Sequence, residues 1–182
     1  MDIITTYIPD LYIIQPDIFS DNRGFFYEIF NQNKYSTGEF NYNFIQDNLS
    51  LSKEGTIRGL HYQLNPFSQA KLVTVLQGSV LDTVVDLRAN SPTFGKIFSI
   101  ELSDENKLQL LIPRGLAHGF SVLSHEAMFF YKCDNVYNKS CERGINLFDP
   151  DLSIDWKISK KNAIISEKDA LLPKFADAEF NF

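Results

Sequence analysis

An all-β fold, a sandwich or barrel of antiparallel strands with a few short helices, follows from three features of the sequence. Between Phe44 and Asn135 the apolar runs are short and rich in Val, Ile, Thr and aromatic residues, a composition that suits a pleated, half-buried strand. Turn signals part these runs at short intervals, as in sandwiches and barrels. The length of 182 residues, with 44% hydrophobic content and sixteen Phe, predicts one domain with a substantial core, not a disordered chain.

Taken in order, residues 11–15 and 25–30 predict strands on either side of an Asp21-Asn22-Arg23-Gly24 turn. Residues 31–39 are polar and bounded by Asn31 and Gly38, which predicts a short helix. Strands follow at 70–76, 80–87, 96–102, 108–112, 118–123 and 127–134. They are parted by Gly78, Asn90-Ser91-Pro92, Ser103-Asp104-Glu105-Asn106, Pro113-Arg114-Gly115 and His125. After Asn146 the chain turns polar and reads as a tail laid over the β core, with a helical turn or lid beginning at Ser166-Glu167-Lys168-Asp169. No repeat or linker divides residues 1–182.

A net charge of −6 disfavours nucleic-acid binding, which needs a basic field. It leaves room for a small anionic ligand held by a few focused cations. Cys133 and Cys141 are the only cysteines; two thiols at this spacing make neither a disulfide framework nor a zinc pattern. The N-terminus lacks a basic segment followed by an apolar one, and no apolar run approaches the ~18 residues of a membrane helix. These features predict a soluble, cytoplasmic protein with no membrane partner.

The densest chemistry lies between Thr56 and Lys71, where Arg58-Gly59-Leu60-His61-Tyr62-Gln63 is followed by an Asn65-Pro66 loop and a strand opening at Lys71. A strand bearing a histidine and a returning strand that begins with a lysine can set a base beside a cation. Such a pair can take a proton and hold the negative charge left behind. The same residues also suit plainer roles: a solvent-edge Arg, a structural His and a surface Lys. In a regular strand Arg58 and His61 point to opposite faces, so joint service in one pocket requires a bulge near Gly59.

Arg58-Gly59-Leu60-His61-Tyr62-Gln63 with Gln69-Ala70-Lys71-Leu72-Val73 resembles the dTDP-4-dehydrorhamnose 3,5-epimerase family. The likeness continues through Asp21 to Phe26, Gln46-Asp47-Asn48, Asp86-Leu87-Arg88, Ser91-Pro92-Thr93-Phe94-Gly95 and Ile112 to Phe120. It implies a cupin-like jelly roll with N-terminal strands exchanged in a homodimer. It implies an isomerase that inverts C3 and C5 of dTDP-4-keto-6-deoxy-D-glucose, giving dTDP-4-keto-L-rhamnose for polysaccharide synthesis. The related alternatives are an epimerase acting at one centre or on another nucleotide-linked 4-ketosugar, and a silent binding module.

An epimerase working beside a ketone needs a base, an acid on the opposite face and a partner for the enolate oxygen. The resemblance assigns His61 as base, Tyr131 as acid, Lys71 to the enolate and Asp169 to orienting His61. It places Arg23, Arg58, His118 and Lys168 on the pyrophosphate, Gln46, Asp47, Asn48, Glu28 and Glu142 on nucleoside and sugar, and Tyr137 against thymine. Arg23 and Glu28 would then reach a neighbour's site. Without the resemblance, Tyr131 among Phe129 and Phe130 reads as core, and Asp169 as a helix cap. No cofactor is expected, and no metal, because His61, His118 and His125 include no His-X-His pair.

Overall fold

The computed structural model describes residues 1–35 and 40–182. In chain order its strands begin with β1 (Asp2–Thr5), β2 (Tyr12–Gln15), β3 (Phe19–Asp21), β4 (Gly24–Phe26), β5 (Gln46–Lys53), β6 (Ile57–Gln63) and β7 (Lys71–Gln77). They continue with β8 (Ser79–Asp86), β9 (Ile97–Ser103), β10 (Gln109–Ile112), β11 (Leu116–Val122), β12 (Glu126–Cys133) and β13 (Glu142–Gly144). Two short helices, α1 (Gln32–Tyr35) and α2 (Glu167–Ala170), accompany them. Six strands form one antiparallel sheet in the order β1-β2-β10-β7-β12-β5, and five form a second, β13-β6-β11-β8-β9.

The two sheets pack face to face because each contributes alternate apolar residues to a shared layer. Val73, Val75 and Leu110 of the larger sheet meet Val80, Val84 and Leu102 of the smaller one. Phe120 and Phe129 stack across the gap with ring centroids 4.2 Å apart. The smaller sheet is covered on its outer face too. There Ile57, Val85 and Leu87 pack under Leu147, Leu152 and Trp156 of the tail. Covering on both faces explains why β8 and β11 are buried along most of their length instead of alternating between buried and exposed residues.

The tail is tied down by specific polar contacts as well as by packing. The indole N–H of Trp156 donates to Leu147 O (2.7 Å), and the Ser121 hydroxyl donates to Trp156 O (2.7 Å). A parallel bridge joins Thr56 to Ile164 beside the start of β6. That bridge brings α2 alongside β6, and Ser166 caps the helix by accepting from the Asp169 N–H (3.0 Å).

Three expectations about local structure change. The strand expected at 25–30 ends at Phe26, in a small hairpin whose other arm, Phe19–Asp21, was not foreseen. The helix expected over 31–39 is seen as Gln32–Tyr35, and residues 36–39 lie outside the described residues. The strand Asp2–Thr5, paired with β2, was also not foreseen; its residues are all exposed, so it lacks the alternation that marks a half-buried strand. Among the described residues no helix is long and apolar enough to cross a membrane.

Asp86 closes β8 and anchors the loop that follows. Its fully buried carboxylate accepts from Arg88 Nε and Nη2 (both 2.9 Å), the Arg88 N–H (3.0 Å), and the Ser91 and Thr93 hydroxyls (both 2.7 Å). Burial alone would raise its pKa; the bonds from Arg88, Ser91 and Thr93 outweigh that and hold it at about 2. Replacing Asp86 by Asn should lower stability at neutral pH by about 2–3 kcal/mol, the worth of a carboxylate whose folded pKa is held at about 2. Because the folded pKa is depressed, the carboxylate's contribution is complete above the ordinary Asp range near ~3.9. It is lost as pH falls toward about 2. Urea unfolding across that window should show wild type and variant converging; a gap that ignores pH would contradict the assignment.

Candidate active site

The site begins with an irregularity in β6. His118 on β11 faces His61, while Phe120 faces Arg58. Three steps along β6 therefore match two along β11, which places one extra residue at Gly59–Leu60. This is the bulge that joint use of Arg58 and His61 requires, and it brings both side chains to the cleft between the sheets. Gly59 sits at φ 119°, and a Cβ there would lie 2.6 Å from Gly119 Cα and 2.7 Å from His118 O. Only glycine fits that approach.

The cleft holds about 880 Å³. An adjoining chamber of about 320 Å³ shares Asn48, His61, Lys71 and Tyr131 with it. The two walls differ in chemistry. The five-stranded sheet supplies His61 and Arg58 from β6 and His118 from β11. The six-stranded sheet supplies Lys71 from β7, Tyr131 from β12 and Asn48 from β5. Lys71 Nζ lies 6.0 Å from the Tyr131 ring centroid.

His61 Nε2 is 2.7 Å from Asp169 Oδ1, with the imidazole open to the cleft and the carboxylate 5% exposed. Burial works against ionisation of Asp169. The contact with His61, the Gly59 N–H and Ser166 outweigh it and hold the carboxyl below its usual range. His118 Nε2 lies 2.8 Å from Asp82 Oδ2, both buried. Desolvation lowers the His118 pKa against the pull of Asp82, with Lys71 and His61 lowering it further. Desolvation likewise pulls the Lys71 ammonium below the usual lysine range, opposed by Cys133, Asp82 and Glu142. Burial pushes the Tyr131 phenol upward, which keeps it protonated at neutral pH.

At the mouth one carboxylate oxygen gathers two groups. Glu142 Oε2 lies 2.6 Å from Lys168 Nζ and accepts from the Tyr137 hydroxyl at 2.8 Å. The Tyr137 N–H donates to Gln46 Oε1 (3.1 Å), and Gln46 Nε2 donates to Asn48 Oδ1 (3.0 Å). Arg58 Nε donates to Ser52 Oγ across the sheets at 2.9 Å.

Of the residues singled out from the sequence, the structure gathers His61, Lys71, Tyr131, Asp169, Arg58, His118, Lys168, Gln46, Asn48, Tyr137 and Glu142 around these joined cavities. Asp47 borders the cleft but is drawn to Lys132, its cross-strand neighbour, at 2.6 Å. Arg23 and Glu28 lie elsewhere on this chain. Arg23 pairs with Asp21 of its own hairpin (2.6 Å), and Glu28 with Lys34 (2.7 Å). Two supporting residues were missed, Asp82 and Ser52. An acid inside the apolar run Val80-Leu81-Asp82-Thr83-Val84-Val85 was the available signal for Asp82, because a buried carboxylate demands a partner; Ser52 gave none. Among the described residues no group of three or more His, Cys, Asp or Glu side chains is placed to hold a metal ion.

Two antiparallel sheets enclosing a cleft, with an imidazole–carboxylate pair on one wall and a lysine and phenol on the other, define a cupin-like jelly roll suited to proton-transfer chemistry. The chain belongs to the dTDP-4-dehydrorhamnose 3,5-epimerase family, whose sequence model matches residues 5–177. It is 49% identical over 181 residues, 99% of either chain, to the dTDP-4-dehydrorhamnose 3,5-epimerase of Shigella flexneri. The crystal structure of the Elizabethkingia anophelis enzyme of that name superposes with a TM-score of 0.92 at 53% identity, covering 97% of both chains. A Legionella pneumophila dTDP-6-deoxy-D-glucose-3,5-epimerase, solved in complex with dTDP-4-keto-L-rhamnose, gives 0.91 at 46% identity, covering 97% of this chain and 93% of that one.

Proposed function

We propose that this protein inverts C3 and C5 of dTDP-4-keto-6-deoxy-D-glucose to give dTDP-4-keto-L-rhamnose. The observation that carries the proposal is the placement of His61 and Tyr131 on opposite walls of one cleft, with Lys71 beside the phenol. Inversion next to a ketone needs this separation, since the proton must leave one face of the sugar and return to the other. His61, held by Asp169, takes the proton from the carbon beside C4, and the C–H electron pair becomes the enolate. Lys71 faces the negative charge on the C4 oxygen. The Tyr131 hydroxyl gives its proton to the opposite face of the same carbon, and solvent restores both groups before the second centre reacts. Arg58 and Lys168 supply positive charge for the pyrophosphate, with His118 lining the same cleft. Tyr137 offers a flat ring to thymine. The free thiols of Cys133 and Cys141 accord with a cytoplasmic location.

Replacing His61 by Asn should abolish both inversion and uptake of solvent deuterium, because no enolate forms. Replacing Tyr131 by Phe should leave deuterium uptake running while inversion falls by at least ~10²-fold, the usual worth of such an acid. The enolate is then reprotonated by His61 on its original face. Inversion at near wild-type rate in the Tyr131 variant would remove that residue from the mechanism, and continued exchange in the His61 variant would remove the base.

A homodimer belongs to the same proposal. The hairpin β3–β4 exposes Phe19, Phe25 and Phe26, each 60–69% accessible, and carries Arg23 away from this chain's own cleft. An exposed aromatic patch of that kind marks an interaction surface, and a second copy would take Arg23 and Glu28 toward its site. Mixed dimers of Arg23→Ala and His61→Ala chains should then recover activity, since one of the two hybrid sites is intact. Hybrids that form and stay inactive would mean that each site is built from one chain.

A further inference from the structure

Tyr137 stands at the cleft mouth 53% exposed, on the segment between β12 and β13. Exposed loop residues are ordinarily the mobile ones. Here, however, three successive backbone groups are held by side chains of the sandwich. Gln63 Nε2 donates to Val136 O (3.1 Å), Gln46 Oε1 accepts the Tyr137 N–H (3.1 Å), and Gln63 Oε1 accepts the Asn138 N–H (2.6 Å). Gln63 Nε2 also donates to Phe67 O (2.7 Å), tying in the loop that follows β6.

We infer that Gln63 is a positioning residue for nucleotide recognition, its carboxamide clamping the residues on both sides of Tyr137 so that the ring is preset at the mouth. Gln63 lies on β6 two residues beyond His61, on the same side of the strand, and is 5% exposed. Its donors meet two carbonyls and its acceptor meets an N–H, so the site requires both halves of an amide. A carboxylate there would aim an oxygen at Phe67 O and Val136 O, and an apolar side chain would leave all three backbone groups without their side-chain partner. Presetting an exposed ring strengthens binding by removing the ordering that association otherwise requires. The reactive groups have supports of their own: His61 is held by Asp169, and Tyr131 by the β12 pairings. The effect should therefore fall on affinity and not on turnover.

This inference rests on the reading of Tyr137 as the ring that receives the base. Calorimetric titration with dTDP, which lacks the sugar, is combined with steady-state kinetics on the ketosugar. Tyr137→Ala should weaken dTDP by about 5- to 150-fold, the usual range for a base–aromatic stack. Gln63→Glu and Gln63→Met should raise both the dTDP Kd and the substrate KM at least about fivefold, with kcat retained; two variants guard against one failing to fold. Tyr137→Ala combined with Gln63→Met should bind dTDP no worse than Tyr137→Ala alone, since a clamp without its ring has nothing to position. A general loss of stability would add in that cycle. Gln63 variants that bind dTDP as wild type while Tyr137→Ala does not, losses that add, or a kcat that falls at constant KM would each overturn the role of Gln63 alone. An unchanged affinity in Tyr137→Ala would overturn the reading of Tyr137 and the clamp with it.

Discussion

The backbones of β6 and β11 approach so closely at Gly59 and Gly119 that neither position has room for a side chain, and the site depends on that contact. A Cβ at Gly119 would lie 2.6 Å from Arg58 O, the counterpart of the clash at Gly59. The extra residue accommodated there turns Arg58 and His61 toward one cleft. It also leaves the Gly59 N–H, which a regular ladder would have used, free to reach the Asp169 carboxylate. The parallel bridge between Thr56 and Ile164 delivers α2 to that point. One backbone defect thus sets the direction of the proposed base and part of the hydrogen bonding of the group that orients it.

The charge of the cleft runs against that of the chain. A protein of net charge −6 lines one cavity with Arg58, Lys53, Lys71 and Lys168 beside two histidines. Low-dielectric walls focus such a field. The carboxylates placed nearby divide into two tasks. Asp169 and Asp82 each hold an imidazole, while Glu142 holds Lys168 and Tyr137 at the rim. Asp82 also keeps one buried oxygen, Oδ1, without a hydrogen-bond partner, the sole such side-chain atom among the described residues. It adds to the pull on the desolvated Lys71 ammonium. A lysine whose charge is poorly solvated gains most when an enolate oxygen arrives beside it.

Much of this was legible in the sequence, and the failures have physical causes. Strands β7 to β12 announced themselves because Gly78, the Pro92 and Pro113 turns and the 103–106 cluster bound them. The need for a bulge near Gly59 followed from strand alternation once Arg58 and His61 were taken to serve one pocket. Single motifs were less informative: Tyr131 between aromatics and Asp169 after Ser166 read as core and cap, and Asp169 does occupy a capping turn while also meeting His61. Side-chain contacts between strands, such as Ser52 with Arg58 across the two sheets or Asp82 with His118 within one, cannot be paired from the sequence, because the partners are set by how the strands are arranged and packed. Arg23 and Glu28 show the converse, matching family motifs yet lying outside this chain's cleft.

The central claim is that proton traffic through an enolate inverts two carbons beside one ketone. Turnover of dTDP-4-keto-6-deoxy-D-glucose by the unaltered protein in D₂O, followed by NMR, tests it most directly. The account predicts one solvent deuterium at C3 and one at C5 of the inverted product. Inversion with protium retained at either centre would contradict the enolate route there, and deuterium confined to C3 would make the protein a one-centre epimerase.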